Sequence, residues 1–385
     1  MGKKNLYIVF DQLPGKKTGG LVTTYVRISK LLKEEYNIKI LSIFNYEENE
    51  LFKENEVIYI NKNMVSSDCI NIISYIKKFD FKQTIKALKN LFLYFVTIPY
   101  NRRKVSKLIN KDDLVIVSCP SAAIFMPKNI DFILEIHIYF KYFYGSNLKG
   151  RLQSLFMQKP KLTLYRTKSD MIEAKDAGFK DVGYVYNFFE NKNIKPNKKL
   201  VKNKICFVGR LEKQKDLPRM IEIASKLRQI NNNFILDIYG EGSQKDTISR
   251  LIKKYHLEKN VFLKGFTQNK NIYANYSIMW MTSSFEGFGL TIIEAKSNGV
   301  PTISTNWGNG VYEVINDGID GFIVNNNEDF IDKTTILLSD DKKLEEFKQN
   351  SLHSFDKFSK ERAKNIWIYI LNNYKNKNID NFFDE

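Results

Sequence analysis

Two glutamates stand eight positions apart in FEGFGLTIIEAKSNGVPTIST, residues 285–305. Between Glu286 and Glu294 runs a turn bearing Gly287 and Gly289, and then helical spacing from Leu290 to Asn298. Gly299 stops that helix and Pro301 opens the next strand. Glycines in a strand-to-helix turn allow unusual dihedrals and close ligand approach. The unpaired amides at the helix start, reinforced by the helix dipole, attract an anion. Carboxylates beside them accept hydrogen bonds from sugar hydroxyls. The pattern therefore suits a nucleotide sugar, with phosphates at the turn, hexose near Glu286 and ribose near Glu294. The bland alternative makes Glu286 a dipole-complementing acid and Glu294 a solvated surface residue.

A second constellation is FVGRLEKQKD, where Gly209 follows a strand and Arg210 precedes Lys215 by five residues. Arginine grips a diphosphate with two parallel bonds and lysine adds a point charge. In a lysine-rich chain both are also readable as ordinary surface cations. TGG places Gly19 and Gly20 in the first strand-to-helix turn, as a second amide cradle facing a cleft. YGEGSQ puts Gly240 and Gly242 after a strand, either as a backbone-approach loop or as plain turn chemistry. Of the three histidines, His137 ends the strand-like ILEIH and is the candidate to contact a donor sugar. His256 and His353 fall in polar helical text and read as solvated.

Strands alternating with helices must carry these residues. NLYIVFD, a glycine turn, the helical LVTTYVRISKLLKEEY and IKILSIF form a β-loop-α-β unit, whose parallel strands need a right-handed crossover. LVIVSC and FILEIHIYF continue that sheet, and TLYRTKSDMIEAKDAG reads as a strand entering a helix that stops at Gly178. The polar ENKNIKPNKKLVKN reads as a linker. A second series then begins with KICFVGRL. The expectation is two doubly wound α/β domains: about 1–188, a linker about 189–202, and about 203–361. The text from Lys357 to Tyr374 reads as one long or kinked helix, and NIDNFFDE as a frayed end.

At 385 residues the chain is long enough for two cores, and 43% hydrophobic with 27% charged residues describes a soluble globular protein. Cys69, Cys119 and Cys206 lack metal spacing, and Cys119 and Cys206, in or beside apolar strand-like runs, read as buried thiols in a reducing cytosol. The run Leu6–Phe10 is too short for a signal peptide core, and the longest apolar stretch falls short of the roughly 20 residues of a membrane span. Net charge is +17, concentrated in Lys77–Lys111, which holds ten basic residues against one acid. With Phe92, Tyr94, Phe95 and Tyr100 interleaved, this segment fits an anionic bilayer on the cytoplasmic side, and equally an anionic acceptor polymer. The remaining alternative is an amphipathic helix with solvated lysines.

Taken together, EGFGLTIIE, GVPTIST, GNGVYEVINDGIDGFIV and GRLEKQK resemble the retaining glycosyltransferases of family 4, over nearly the whole chain. The resemblance implies the GT-B fold: two Rossmann-like domains with a cleft between them, and a C-terminal helix at about 362–380 returning to the first. It also implies a hexose or N-acetylhexosamine donor, with UDP as carrier, and an envelope acceptor such as teichoic acid, a lipid-linked precursor or a glycoprotein. Arg210 and Lys215 would stabilise the leaving diphosphate in place of a metal. Phe288, Gly289 and Leu290 would offer amides, Glu286 would hold the sugar, Glu294 the ribose, Gly19–Gly20 the phosphates or acceptor, and His137 would sit near the anomeric centre. Front-face departure of the diphosphate and an α linkage are carried over in the same way. The loop Gly308–Glu313, GNGVYE, departs from the family's frequent proline. Two other readings stay open: a GT-B sugar-nucleotide epimerase, which shares the fold, and a basic nucleic-acid-binding protein, which explains the charge but neither motif.

Overall fold

The structure, a computed structural model, describes residues 2–13, 20–44, 50–61, 81–82, 85, 89, 92, 95–137, 140, 157–190, 201–267, 269–376, 379 and 382–383. The chain divides into two compact units. The first comprises Met1–Arg166, Asp170–Val185 and Lys364–Glu385, and the second Thr167–Ser169 and Tyr186–Ala363.

Unit 1 is built on strands β1 (Asn5–Gln12), β2 (Asn37–Phe44), β3 (Glu56–Asn61), β4 (Leu114–Val117), β5 (Ile133–Ile136), β6 (Leu162–Tyr165) and β7 (Val182–Tyr184). They form one sheet in the order β3-β2-β1-β4-β5-β6-β7, with every pairing parallel. The strand text is apolar almost without break because both faces of a parallel sheet are covered, and all four residues of β4, LVIV, are buried.

Unit 2 repeats the design with β8 (Lys204–Val208), β9 (Ile235–Tyr239), β10 (Val261–Gly265), β11 (Ile278–Met281), β12 (Thr302–Thr305) and β13 (Gly321–Val324), in the order β10-β9-β8-β11-β12-β13. Side chains alternate across a strand, so each strand feeds two cores. Ile205 and Phe207 of β8, with Ile278 and Trp280 of β11, enter one cluster; Cys206, Met279 and Met281 enter the other. Trp280 stands edge-on to Phe330 with ring centroids 5.3 Å apart. The helix Leu217–Ile230 buries Leu217, Met220, Ile221, Ala224 and Leu227, an i, i+3, i+4, i+7 stripe laid on the first cluster. Both units are thus doubly wound α/β sheets of Rossmann type, as expected.

The C-terminal text, expected as one long or kinked helix, is interrupted near its start. A 3-10 turn at Phe355–Phe358 ends at Ser359, whose extended backbone (ψ 154°) breaks the run before the helix Lys360–Asn373. From Lys364 onward the chain belongs to unit 1, where Lys364 pairs with Glu35 at 3.0 Å and the Tyr374 hydroxyl accepts from Val115 N at 3.3 Å. The expectation of a frayed end also needs correcting at the described residues. Ile379 and Phe383 are buried, and Phe383 lies so close to Gly183 that a Cβ there would meet its ring. The apolar side chains anchor what composition alone marks as loose. Among the described residues, no helix is long and apolar enough to cross a membrane.

Candidate functional site

In unit 2 the strand order reverses between β8 and β11, and ligands bind parallel sheets in the crevice outside the carboxyl ends at such a switch point. Strand β8 runs into Gly209 and Arg210 and then a 3-10 turn at Lys213–Lys215; β11 runs into Thr282–Glu286. The two turns are stitched together. Thr282 Oγ1 donates to Lys215 O at 2.9 Å, Ser284 N to Gln214 O at 2.9 Å, and Gln214 Nε2 to Phe285 O at 2.7 Å. Asp216 takes a left-handed conformation (φ 45°) to turn the chain into the following helix. The result brings Lys215 Nζ to 2.5 Å from Glu286 Oε1, with side chains 11% and 9% exposed. Arg210 stands exposed after β8.

The helix Leu290–Ser297 begins beside this pair. Its N-cap is Gly289, at φ 81°, and among the described residues no side chain caps its first amides. An L-residue strains in that conformation, so the glycine has a backbone reason. Phe288 is 4% exposed and packs between Tyr186 and Phe358, anchoring the turn while its amide belongs to the loop. Glu294 overturns the reading of a solvated acid: it is 3% exposed and accepts a hydrogen bond from the Tyr273 hydroxyl at 3.2 Å.

Gly240 and Gly242 have their explanation in protein contacts. A Cβ on Gly240 would stand 1.8 Å from Gly209 O, and one on Gly242 would stand 2.5 Å from Leu211 O. Gly240 is also at φ 144°. These glycines let two loop backbones stack, which is what holds the GRL turn. In the loop Gly308–Glu313, Glu313 accepts the amides of Lys168 and Ser169, both at 2.7 Å, and the Ser169 hydroxyl at 2.5 Å.

Unit 1 holds His137 just past the end of β5. Arg166 Nε lies 3.2 Å from its Nδ1, Arg166 Nη2 is 3.1 Å from its Nε2, and the Tyr25 hydroxyl is 3.0 Å from Nε2. Arg166 also bonds Glu135 Oε1 at 2.5 Å, with side chains 3% and 0% exposed. Burial, then the Arg166 charge, push the imidazole down to about 4, so it is neutral at pH 7. Burial alone would raise Glu135, but Arg166, His137 and Tyr25 outweigh it and hold the carboxyl below its usual range. Cys119, partly buried and near Asp11, is pushed up to about 12 by desolvation and stays a thiol. Gly20 opens the helix Gly20–Leu32, while Gly19 lies outside the described residues, as do Cys69, Tyr94 and most of 77–94.

The partners Glu135, Arg166, Tyr25, Gln214, Thr282 and Tyr273 were not anticipated. One signal for them exists. Glu135 is a carboxylate in the apolar strand ILEIH, on the same strand face as His137, and a charge in such a place needs a partner. Which cation supplies it, 31 residues away, is a matter of topology.

Residues 188–354 match the family described as Glycosyl transferases group 1. Among curated proteins, the chain is 28% identical over 243 residues to the poly(glycerol-phosphate) alpha-glucosyltransferase of Bacillus subtilis (strain 168), covering 60% of this chain and 36% of that one. It is 31% identical over 169 residues to the poly(ribitol-phosphate) alpha-N-acetylglucosaminyltransferase of Staphylococcus aureus (strain COL), covering 43% and 34%. The chain thus spans about a third of the length of these relatives. A solved structure of a mutant of S. aureus TarM, in complex with Fondaparinux, alpha-GlcNAc-glycerol and UDP, superposes with a TM-score of 0.75 at 17% identity, over 96% of this chain and 100% of that one. With the GRL turn and the Glu286–Glu294 segment inside the matched stretch, residues 188–354 are similar to the group 1 glycosyl transferases, and the two units of the chain carry the GT-B fold.

Proposed function

We propose that the chain is a retaining glycosyltransferase that moves a hexose or N-acetylhexosamine from a UDP-sugar to a cell-envelope acceptor. The observation that carries this reading is the Lys215–Glu286 pair at the switch point, beside the uncapped start of the helix Leu290–Ser297. A cation, a carboxylate and free amides converge where a diphosphate joins a sugar. The names of the two relatives, both acting on polyol-phosphate polymers, and the +17 charge of the chain support a polyanionic acceptor.

In this reading Arg210 and Lys215 neutralise the diphosphate, helped by the amides of Phe288, Gly289 and Leu290 and by the Gly19–Gly20 turn. Gly209, Gly240 and Gly242 shape the crevice. Glu286 shares its carboxylate between Lys215 and a sugar hydroxyl, and Glu294 takes the ribose. His137 lies against the sugar near C1. As the bond from C1 to the phosphate oxygen breaks, negative charge grows on that oxygen, where the two cations stabilise it. The same oxygen takes the proton of the acceptor hydroxyl while the acceptor oxygen bonds C1 on the same face, so the α configuration is retained without a metal. The test is transfer from a panel of UDP-sugars to glycerol- or ribitol-phosphate polymer in the presence of EDTA, with the anomeric proton of the product read by NMR. A β product, loss of transfer with EDTA, or epimerised free donor without transfer each rejects the corresponding part.

The segment 77–111 adds a partner. Its described residues Phe81, Ile85, Phe92, Val96 and Tyr100 are all exposed, interleaved with exposed Lys82, Lys89, Arg103 and Lys107. Apolar side chains among cations fit an anionic bilayer, on the cytoplasmic face where the donor is present. Equal co-sedimentation with anionic and neutral vesicles would refute it.

A further inference from the structure

We infer that Trp307 is a further donor-binding residue, whose indole N–H donates to a diphosphate oxygen seated at the start of the helix Leu290–Ser297. The indole is wedged between two glycine backbones. A Cβ on Gly310 would stand 2.9 Å from Trp307 Cζ3, and one on Gly289 would stand 3.5 Å from Cζ2. Cζ2 lies on the nitrogen side of the indole and Cζ3 on the far side. The edge that carries Nε1 therefore faces Gly289, the N-cap of that helix. Trp307 is 7% exposed, yet among the described residues its Nε1 has no hydrogen-bond partner. Two hydroxyls nearby in the chain share that condition: Ser283 Oγ, just after β11, and Thr291 Oγ1, in the first turn of the helix. Ser283 O accepts from Thr305 Oγ1 at 2.8 Å, which ties it to the strand that leads into Trp307.

A buried donor left without a partner costs about 1–3 kcal/mol. Three such groups on one β-α-β unit point to an acceptor at its carboxyl edge. The indole N–H and the helix amides can only donate, and a diphosphate offers them nothing but acceptors, with a charge that the helix dipole favours. Nε1 is covered by its surroundings, so the turn at Gly289 shifts as the anion enters. Trp280 and Trp367 also have partnerless N–H groups, but both side chains are 0% exposed, Trp280 in the opposite core cluster of unit 2 and Trp367 in unit 1. They are internal controls. The assignment deepens the proposed reading of this turn and rests on it for the identity of the anion.

The full chain labelled with 15N at tryptophan tests it, because three indole N–H signals are present, one for each tryptophan. Trp307→Phe, which keeps an aromatic ring in the wedge, assigns the signal; Trp280→Phe and Trp367→Phe assign it by elimination should that variant not fold. Inorganic pyrophosphate and UDP are the probes. Both are expected to move the Trp307 proton downfield and to leave the other two in place. Trp307→Phe is expected to bind UDP about tenfold more weakly by calorimetry, the worth of one hydrogen bond to a charged group. UDP bound to the wild type with the Trp307 signal unmoved overturns the proposal and leaves the transferase reading standing, as does equal UDP affinity in a folded Trp307→Phe. A signal that moves with a UDP-sugar alone puts the indole at the sugar and also overturns it. A signal that moves with pyrophosphate in a chain that does not bind UDP upholds the anion seat and rejects the nucleotide reading.

Discussion

The chain holds two cation–carboxylate pairs of equal length and different character. Arg166–Glu135 in unit 1 and Lys215–Glu286 in unit 2 are both 2.5 Å apart, but the first is 3% and 0% exposed and the second 11% and 9%. Arg166 is committed on several sides, to Glu135, His137 and Val185 O. Among the described residues Lys215 Nζ bonds Glu286 alone, beside a helix start that no side chain caps. The comparison teaches that bond length does not tell a structural pair from a ligand-exchanging one. What separates them is how many other bonds each cation makes, and whether an incoming anion can replace the carboxylate.

The comparison breaks first on stability. Arg166→Met leaves Glu135 as an unpaired charge in a dry site, which costs about 3–5 kcal/mol. Lys215→Met is expected to cost less, about 1–3 kcal/mol, since Glu286 keeps a partial exposure of 9% and the Gln214 amide as a second partner. Urea unfolding of both variants decides it, and equal losses would erase the distinction drawn between the pairs. The effect on turnover is expected to run the other way. Arg210→Ala with Lys215→Ala should lower kcat at least 10²–10³-fold, roughly the effect of removing electrostatic stabilisation from a leaving group. Near-normal turnover in that double variant would remove the diphosphate from the pair.

Much of the site is readable in the text of the chain because local chemistry fixes it. Gly289 must reach φ 81° where a helix starts, and GRLEKQK must turn after a strand. Neither fact says that Lys215 and Glu286, 71 residues apart, bond each other. Periodicity reports which face a residue takes within its own element, not which distant side chain faces it. For the same reason the text left open whether Glu294 faces a ligand or solvent: an eight-residue helix with apolar residues on most sides has no polar face to mark its burial. The burial of Phe383 against Gly183 depends on a glycine 200 positions upstream, so no local window could show it.

A pH series sharpens the comparison on the unit 1 side. His137 in the folded chain is held down at about 4, against 6.5 when unfolded. The unfolded chain therefore binds the extra proton first. Stability from this group is complete above pH 6.5 and is lost as pH falls toward 4, by on the order of 3 kcal/mol at most. Glu135, also held below its usual range, adds a loss in the same direction at lower pH. Denaturant midpoints at pH 7 and pH 4.5 should differ more in the wild type than in His137→Gln. An equal difference in both would show that the histidine does not report on the buried pair.

The smallest effect concerns Glu294. Tyr273→Phe removes the hydroxyl that donates to Glu294 Oε2 at 3.2 Å, in a site where the carboxylate is 3% exposed. A hydrogen bond to a charged group is worth about 1.5–3 kcal/mol, so a stability loss at the lower end of that range is expected. If Glu294 holds the ribose, the loosened carboxylate should also weaken UDP binding several-fold, read by calorimetry, with kcat at saturating donor unchanged. Weaker folding with intact UDP affinity would make Tyr273 and Glu294 a purely structural pair. That outcome would leave the nucleotide to Arg210, Lys215 and the helix amides, and it would align Glu294 with Glu135 as a second buried acid whose partners are all within the protein.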